Sequence, residues 1–142
     1  KTSWVPPETA APYLYDIEKA EKRNGIKSGL LARLLYQESH YRQDIITGQT
    51  MSSAGAVGIA QIVPRWHPNV DPLNPIESIY YAAQYLASLK KRFGDWEAAL
   101  AAYNWGQGNV SKAQSNYGSD WLAHAPTETQ DYVNEISADA LA

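Results

Sequence analysis

The sequence predicts an all-α fold, and three observations support this prediction. Apolar residues recur at the three- and four-residue spacing of a helix in five segments, no segment alternates apolar and polar residues over the length of a strand, and glycines or prolines stand near the segment ends. The chain has 142 residues, of which 44% are hydrophobic and 19% charged, so one hydrophobic core can form. We expect a single helical domain over residues 13–142, after an extended lead-in over residues 1–12.

The first predicted helix follows this lead-in. Tyr13, Ile17 and Ala20 lie on one helical face, and the Asn-Gly pair at residues 24–25 supplies a stop. A short turn then leads to the second predicted helix.

The second helix has an unusual residue on its apolar face. Ser28 is placed to cap it, and Leu31, Leu34 and Leu35 follow the spacing of a single buried face. The next position of the same pattern is Glu38. A carboxyl group on a face meant for burial must find polar partners or stay protonated.

The rest of the chain reads as a loop followed by helices. Residues 48–58 are small and polar, as in a loop that lets the backbone approach another group closely. Pro75 is suited to the first turn of a long helix that should end at Gly94. Asp95 can cap the next helix, and a last helix is predicted to begin after Thr127.

Composition excludes several classes of function. The chain has no cysteine, so disulfides and thiolate metal sites are excluded. Its three histidines, His40, His67 and His124, show no metal-ligand spacing, which argues against a metal site. The net charge of -3 gives no basic surface for nucleic acid, and the apolar runs are too short to span a membrane. We expect a monomer without a cofactor.

The position of Glu38 suggests acid catalysis. A glycosidic bond breaks when its leaving oxygen is protonated, and a carboxylic acid kept neutral by apolar surroundings can supply that proton. Arg42 lies four residues further on, where a continuing helix would let it pair with Glu38 and keep it ionised. We expect the helix to end near Ser39, which would direct Arg42 elsewhere.

Four segments occur in the order seen in one known family. They are QES at residues 37–39, SSAGAVGIAQIVP at residues 52–64, AYNWG at residues 102–106, and ETQ followed by YV within residues 128–133. On these motifs the chain resembles the catalytic domain of soluble lytic transglycosylases, glycoside hydrolase family 23. The resemblance implies a lysozyme-like fold with a substrate cleft.

The resemblance also implies a reaction. The family cleaves the β-1,4 bond between N-acetylmuramic acid and N-acetylglucosamine in peptidoglycan and leaves 1,6-anhydromuramoyl ends. Glu38 matches the catalytic acid, which first protonates the leaving oxygen and then removes the proton of the C6 hydroxyl. No second acid stands in a partner motif, although Asp44 and Asp71 are the nearest candidates; in the family the 2-acetamido group of the substrate supports C1 instead.

Further site residues are implied by the same match. Ser52 and Tyr103 match hydroxyl groups near the catalytic glutamate, and the expected substrate-binding residues are Gln61, Asn104, Val63, Gly58 and Tyr132. Ala60 and Val63 stand where bulkier residues are frequent in the family, which affects the expected subsites and not the proton chemistry. Trp66 and Trp105 could stack on sugars or pack in the core, with equal weight for each.

Two alternatives stay open at this point. One is a hydrolytic muramidase of the goose-lysozyme type, in which Asp44 or Asp71 positions a water molecule. The other is a peptidoglycan-binding module that has lost turnover. In each case the partner would be a peptidoglycan glycan strand at the bacterial cell envelope, in the periplasm or outside the cell, and the compact chain favours a phage or prophage source such as an endolysin.

Overall fold

The computed structural model describes residues 4–140, and this part of the chain is helical. The seven α-helices in it are α1 Leu14–Arg23, α2 Leu30–Ser39, α3 Gln43–Ile46, α4 Pro75–Phe93, α5 Trp96–Trp105, α6 Gln107–Tyr117 and α7 Thr127–Ala140. Two 3-10 helices span Glu8–Tyr13 and Gly118–His124. Within residues 4–140 the only β pairing is an isolated bridge between Val57 and Ile62. The prediction of an all-α fold is confirmed.

The chain folds as two compact units, Lys1–Gln84 and Tyr85–Ala142, and their boundary falls inside α4. The single domain expected from the sequence stays a prediction, which one cooperative unfolding transition would support. The extended lead-in is wrong for residues 8–12, which together with Tyr13 form a 3-10 helix. Residues 1–3 of the lead-in lie outside the described residues.

The core of the first unit joins α1 and α2. Ile17 and Ala20 of α1 are buried, as are the leucines of α2 that the sequence placed on the apolar face. Helix α1 ends at Arg23, and Gly25 follows with a positive φ of 66°, as the Asn-Gly stop predicted.

The first turn of α2 is capped by a distant residue. Ser28 is not the cap, since the N-cap position is Gly29 with a φ of 88° and no side-chain hydrogen bond. Instead, Oε2 of Glu21 accepts hydrogen bonds from the backbone N–H groups of Leu31 at 3.0 Å and Ala32 at 3.3 Å. Glycine at the cap position leaves these donors without a local acceptor, and the buried α1 carboxylate supplies one.

The second unit is built on α5. The predicted cap is confirmed: Oδ1 of Asp95 accepts from the N–H of Ala98 at 2.7 Å. Helix α5 packs against α6 and α7, and its segment 98–102 is buried. Helix α6 was not predicted from the sequence; it begins directly after Gly106, whose φ of 101° turns the chain.

Among the described residues, none of the helices is both long and apolar enough to cross a membrane.

Candidate active site

Glu38 lies in the last turn of α2 and is half-buried. Leu31, Leu34 and Leu35, which precede it on the same face, are fully buried. The sequence pattern therefore gave the correct direction for this side chain. Glu38 thus follows three buried leucines on the apolar face of α2, in the last turn of the helix.

The chain turns sharply after Glu38. Helix α2 ends at Ser39 as expected, and both His40 and Tyr41 have left-handed backbones, with φ values of 53° and 54°. Such a conformation costs an L residue with a side chain about 1–2 kcal/mol. Two consecutive residues hold it here, so the surrounding structure must fix the turn.

Tyr41 is the anchor of this turn. It is fully buried, its hydroxyl donates to the carbonyl of Ala32 at 2.7 Å, and its N–H donates to Oγ of Ser39 at 3.3 Å. Burial, together with the negative charge of Glu21, raises the pKa of the Tyr41 phenol. The hydroxyl therefore stays protonated and keeps its hydrogen bond over the whole working range of pH.

Arg42 is directed away from a helical pairing with Glu38. Its Nε and Nη2 atoms donate to the two carboxylate oxygens of Asp44, at 3.1 Å and 2.7 Å. Thr50 donates to the same carboxylate at 2.8 Å, and the hydrogen bonds from Thr50 and Arg42 hold the pKa of Asp44 below its usual value. The other candidate second acid, Asp71, is exposed and accepts from the N–H of Leu73 at 3.0 Å.

The loop of the first unit presents Ser52 and Gln61. Ser52 is exposed, and its Oγ accepts from the N–H of Ala56 at 2.9 Å, so its O–H can still act as a donor. Val57 and Ile62 exchange backbone hydrogen bonds of 2.9 Å and 3.0 Å across a tight turn. In this turn Gln61 has a φ of 49°, and its Nε2 donates to the carbonyl of Gly58 at 3.0 Å.

The glycine at position 58 has a structural reason of its own. Its φ is 82°, and a Cβ placed there would lie 1.9 Å from the carbonyl oxygen of Pro72. Close approach of the Pro72 backbone, and not of a sugar, explains this glycine. Gly55, at a φ of 85°, has open space around the same position. A substrate contact through the Gly58 backbone stays a prediction.

The residues after this loop differ in exposure. Val63 is half-buried, and its carbonyl accepts from the N–H groups of Trp66 at 3.0 Å and His67 at 3.1 Å. Ala60 is fully buried, whereas 67% of the Trp66 surface is exposed. Trp66 is thus available for stacking, which was one of its two expected roles. His67 contacts the hydroxyl of Tyr81 at 2.5 Å, and burial lowers the pKa of its imidazole.

Asn104 joins two motifs that are far apart in the sequence. Its Oδ1 accepts from the hydroxyl of Thr129 at 2.8 Å, and its Nδ2 donates to the carboxylate of Glu128 at 3.4 Å. Thr129 is buried, whereas Asn104 is half-buried. The AYNWG and ETQ segments therefore meet within the second unit, and Asn104 has a fixed orientation.

Tyr103 precedes Asn104 on α5 and is half-buried. Its ring packs on that of Tyr85, with 5.7 Å between centroids. Sequence reasoning missed the supporting residues: Nε2 of Gln107 donates to the Tyr85 hydroxyl at 3.4 Å, and Oε1 of Gln107 accepts from Arg92. These partners are 15 and 22 residues apart in sequence, so no local pattern indicates them.

Tyr132 lies in α7 with only 6% of its surface exposed. This burial favours packing over extended contact with a glycan. Trp105 is half-buried.

In residues 4–140 the structure has no group of three or more His, Cys, Asp or Glu side chains that could hold a metal ion.

The described residues combine a half-buried glutamate in the last turn of a helix, a glycine-containing loop and an all-α fold. The Transglycosylase SLT domain family matches residues 16–122, and the chain belongs to this family.

Relatives and a solved structure agree with this assignment. The chain is 32% identical over 114 residues to membrane-bound lytic murein transglycosylase F of Desulfosudis oleivorans, covering 73% of this chain and 25% of that protein. It is 28% identical over 145 residues to membrane-bound lytic murein transglycosylase D of Escherichia coli K12, covering 91% of this chain and 31% of that protein. The chain thus spans between a quarter and a third of these relatives.

The fold is shared with lytic transglycosylase Slt of Pseudomonas aeruginosa, solved as an inactive mutant. The TM-score is 0.72 with 23% identity, over 89% of this chain and 23% of Slt. The expected lysozyme-like fold is confirmed.

Proposed function

We propose that this chain is a peptidoglycan lytic transglycosylase domain in which Glu38 is the catalytic acid. The observation that carries the proposal is the half-buried residue Glu38 in the last turn of α2, in a chain of the SLT family. The relatives named above are lytic murein transglycosylases, and this is the activity that we assign to the chain. Slt of Pseudomonas aeruginosa is inactive as a glutamate-to-glutamine mutant, which supports a glutamate in this role.

The reaction needs one carboxyl group that acts twice. Glu38 donates its proton to the glycosidic oxygen while the bond from C1 to that oxygen breaks. The 2-acetamido group of the N-acetylmuramic acid residue supports the positive charge at C1. The Glu38 carboxylate then takes the proton of the C6 hydroxyl, and O6 bonds to C1 to form the anhydro ring. The carboxyl group ends protonated, so no water is consumed.

Other residues are assigned to the substrate. We assign Ser52 and Tyr103 as hydroxyl groups of the reaction centre, because Ser52 keeps a free donor hydrogen and Tyr103 is only half-buried. Gln61 and Asn104 supply amide groups for sugar hydroxyl and acetamido groups. We assign Gly58 a backbone contact with the glycan, and Val63 and Tyr132 packing contacts around it.

The substrate sets the place of action. A glycan strand of peptidoglycan is the partner, so we place the activity at the bacterial cell envelope, in the periplasm or outside the cell. A phage-encoded enzyme that reaches the wall during lysis fits the same assignment.

The test is mass analysis of the fragments released from purified peptidoglycan by the wild type and by Glu38→Gln. We expect anhydromuramoyl ends from the wild type and no release from Glu38→Gln at unchanged thermal stability. Glu135→Gln is the matched control, since Glu135 is exposed on α7 and should retain full activity.

Two results would contradict the proposal. Fragments that carry one added water would indicate a muramidase, and Asp44 and Asp71 would then be the first residues to replace. Binding of glycan strands without any cleavage by the wild type would indicate a binding module.

A further inference from the structure

Arg42 lies close to the helix end that carries the catalytic acid. Its backbone N–H donates to the carbonyl of Ser39 at 3.0 Å, so the chain folds back beside the end of α2. Its side chain is 60% exposed and long enough to point in several directions. It points toward Asp44, whose two carboxylate oxygens accept hydrogen bonds from Nε and Nη2 of the guanidinium group.

A positive charge beside a catalytic acid opposes its function. Glu38 must hold a proton until the glycosidic bond breaks, and a nearby cation favours the ionised form of a carboxyl group. An arginine keeps its charge at every working pH. A bidentate ion pair cancels most of the field of that charge and also fixes where the guanidinium lies.

We propose that Asp44 is a positioning residue that holds and neutralises Arg42, so that Glu38 keeps its proton for the reaction. This inference rests on the assignment of Glu38 as the catalytic acid. It gives Asp44 a role in the first step of the transglycosylase reaction that does not involve contact with the substrate or with water.

The backbone turn serves the same purpose. If α2 continued by one more turn, Glu38 and Arg42 would be neighbours at the four-residue spacing, where a carboxylate and an arginine pair on a helix. The left-handed residues His40 and Tyr41 break the helix before this can happen, and the buried Tyr41 side chain anchors the break.

A second contact keeps Asp44 charged and in place. The hydroxyl of Thr50 donates to Oδ2 of Asp44, which also accepts a hydrogen bond from Nη2 of Arg42. These hydrogen bonds lower the pKa of Asp44, so its carboxylate remains ionised in mildly acidic solution, where a proton on Glu38 is most easily kept.

Other charged groups on or against α2 have partners of their own. The Arg33 guanidinium lies 5.2 Å from the centre of the Trp4 ring, and the His40 ring lies 4.5 Å from that of Tyr36. Glu21 accepts hydrogen bonds at the opposite end of the helix. Variants at Asp44 and Arg42 leave these groups in place, so they change one charge pair only.

The experiment compares the pH dependence of kcat/KM for peptidoglycan cleavage in the wild type, Asp44→Asn, Arg42→Gln and the double variant. Asp44→Asn leaves Arg42 unneutralised, and we expect the alkaline limb of the profile to move to lower pH by about 0.5–1 unit. The double variant should return to the wild-type profile, because it removes the cation that Asp44 held. The shift in Asp44→Asn should also shrink as salt is added, because exposed charges are screened.

A further variant tests whether the ion pair itself, and not the Thr50 contact, sets the profile. Thr50→Val removes the second hydrogen bond to Asp44 but keeps the ion pair, so the alkaline limb of its profile should follow the wild type, and only the acidic end, where Asp44 gains its proton, should differ. An unchanged profile in Asp44→Asn, or equal impairment of Asp44→Asn and the double variant, would overturn the inference; the second result would point to Asp44 holding water or the loop. The assignment of Glu38 is checked separately with Glu38→Gln. If this variant is active, both proposals are overturned. If it is inactive and the pH profile of Asp44→Asn shows no shift, only the present inference is overturned.

Discussion

The carboxylate of Glu21 caps α2, the helix that carries Glu38 in its last turn, by accepting the N–H of Leu31 at 3.0 Å. It accepts the N–H of Ala32 as well, and only 3% of its own surface is exposed. A negative charge at a helix N-terminus also interacts favourably with the helix dipole. Hydrogen bonds therefore connect the start of α2 to Glu21 of α1, and the buried Tyr41 side chain stabilises its end.

The first prediction is a loss of stability in Glu21→Ala. This change leaves two N–H groups of α2 without an acceptor, and each buried unsatisfied donor costs about 1–3 kcal/mol. Urea unfolding should show a correspondingly lower free energy of unfolding. Glu135→Ala serves as the control, since Glu135 is exposed and lies beyond the first turn of α7, and an equal loss in that variant would argue against the cap.

The second prediction concerns the pH dependence of stability in Glu21→Gln. Burial raises the folded-state pKa of Glu21 above the ordinary value of 4.5, so the folded protein binds this proton more tightly than the unfolded chain. The stability linked to that proton is fully present below pH 4.5 and is lost as pH rises through the folded-state pKa. The free energy of unfolding of the wild type minus that of Glu21→Gln should therefore fall as pH rises from below 4.5 toward neutrality. A difference that is constant with pH would contradict the shift.

The third prediction is that Tyr41→Phe weakens the turn after Glu38. The variant keeps the ring but removes the hydroxyl that donates to the Ala32 carbonyl, for an expected loss of about 1–2 kcal/mol. Tyr15→Phe is the matched control because 72% of the Tyr15 surface is exposed, and it should be near neutral. Chemical denaturation of both variants tests this, and equal stability of the two would show that the hydroxyl bond is dispensable.

The fourth prediction separates two glycines of the loop. Gly58→Ala and Gly55→Ala both place a side chain on a left-handed backbone, which costs about 1–2 kcal/mol. Only at position 58 does the new Cβ meet another backbone atom, 1.9 Å from the Pro72 oxygen. The melting temperature of Gly58→Ala should therefore fall well below that of Gly55→Ala. Equal melting temperatures would mean that the Pro72 segment moves away without cost.

The fifth prediction concerns the orientation of Asn104. Thr129→Val keeps the shape of the buried side chain but removes the hydroxyl that donates to Asn104 at 2.8 Å. We expect kcat/KM on peptidoglycan to fall several-fold, with a loss of stability of about 1 kcal/mol. Thr47→Val is the control, because the Thr47 hydroxyl bonds an exposed backbone carbonyl on α3. Unchanged kinetics in Thr129→Val would show that the role of Asn104 does not depend on the hydrogen bond from Thr129.

Local signals in the sequence predicted much of the fold. The end of α1 and the Asp95 cap were correct because each depends on residues within a few positions of one another. The apolar face of α2 and the end of this helix at Ser39 were also correct. Ser28 was not the cap, because Gly29 turns the chain and a carboxylate from another helix satisfies the donors.

The sequence by itself determined the helical class, the order of the motifs and the face of α2 on which Glu38 stands. These properties follow from helical periodicity and from side chains that act on their own neighbours. The tertiary structure decided which partner each polar group has: Glu21 for the first turn of α2, Thr129 for Asn104, and the Pro72 backbone for Gly58. Such pairings join residues between 10 and 25 positions apart, and they form only when packing brings those segments together and excludes the water that would otherwise satisfy them.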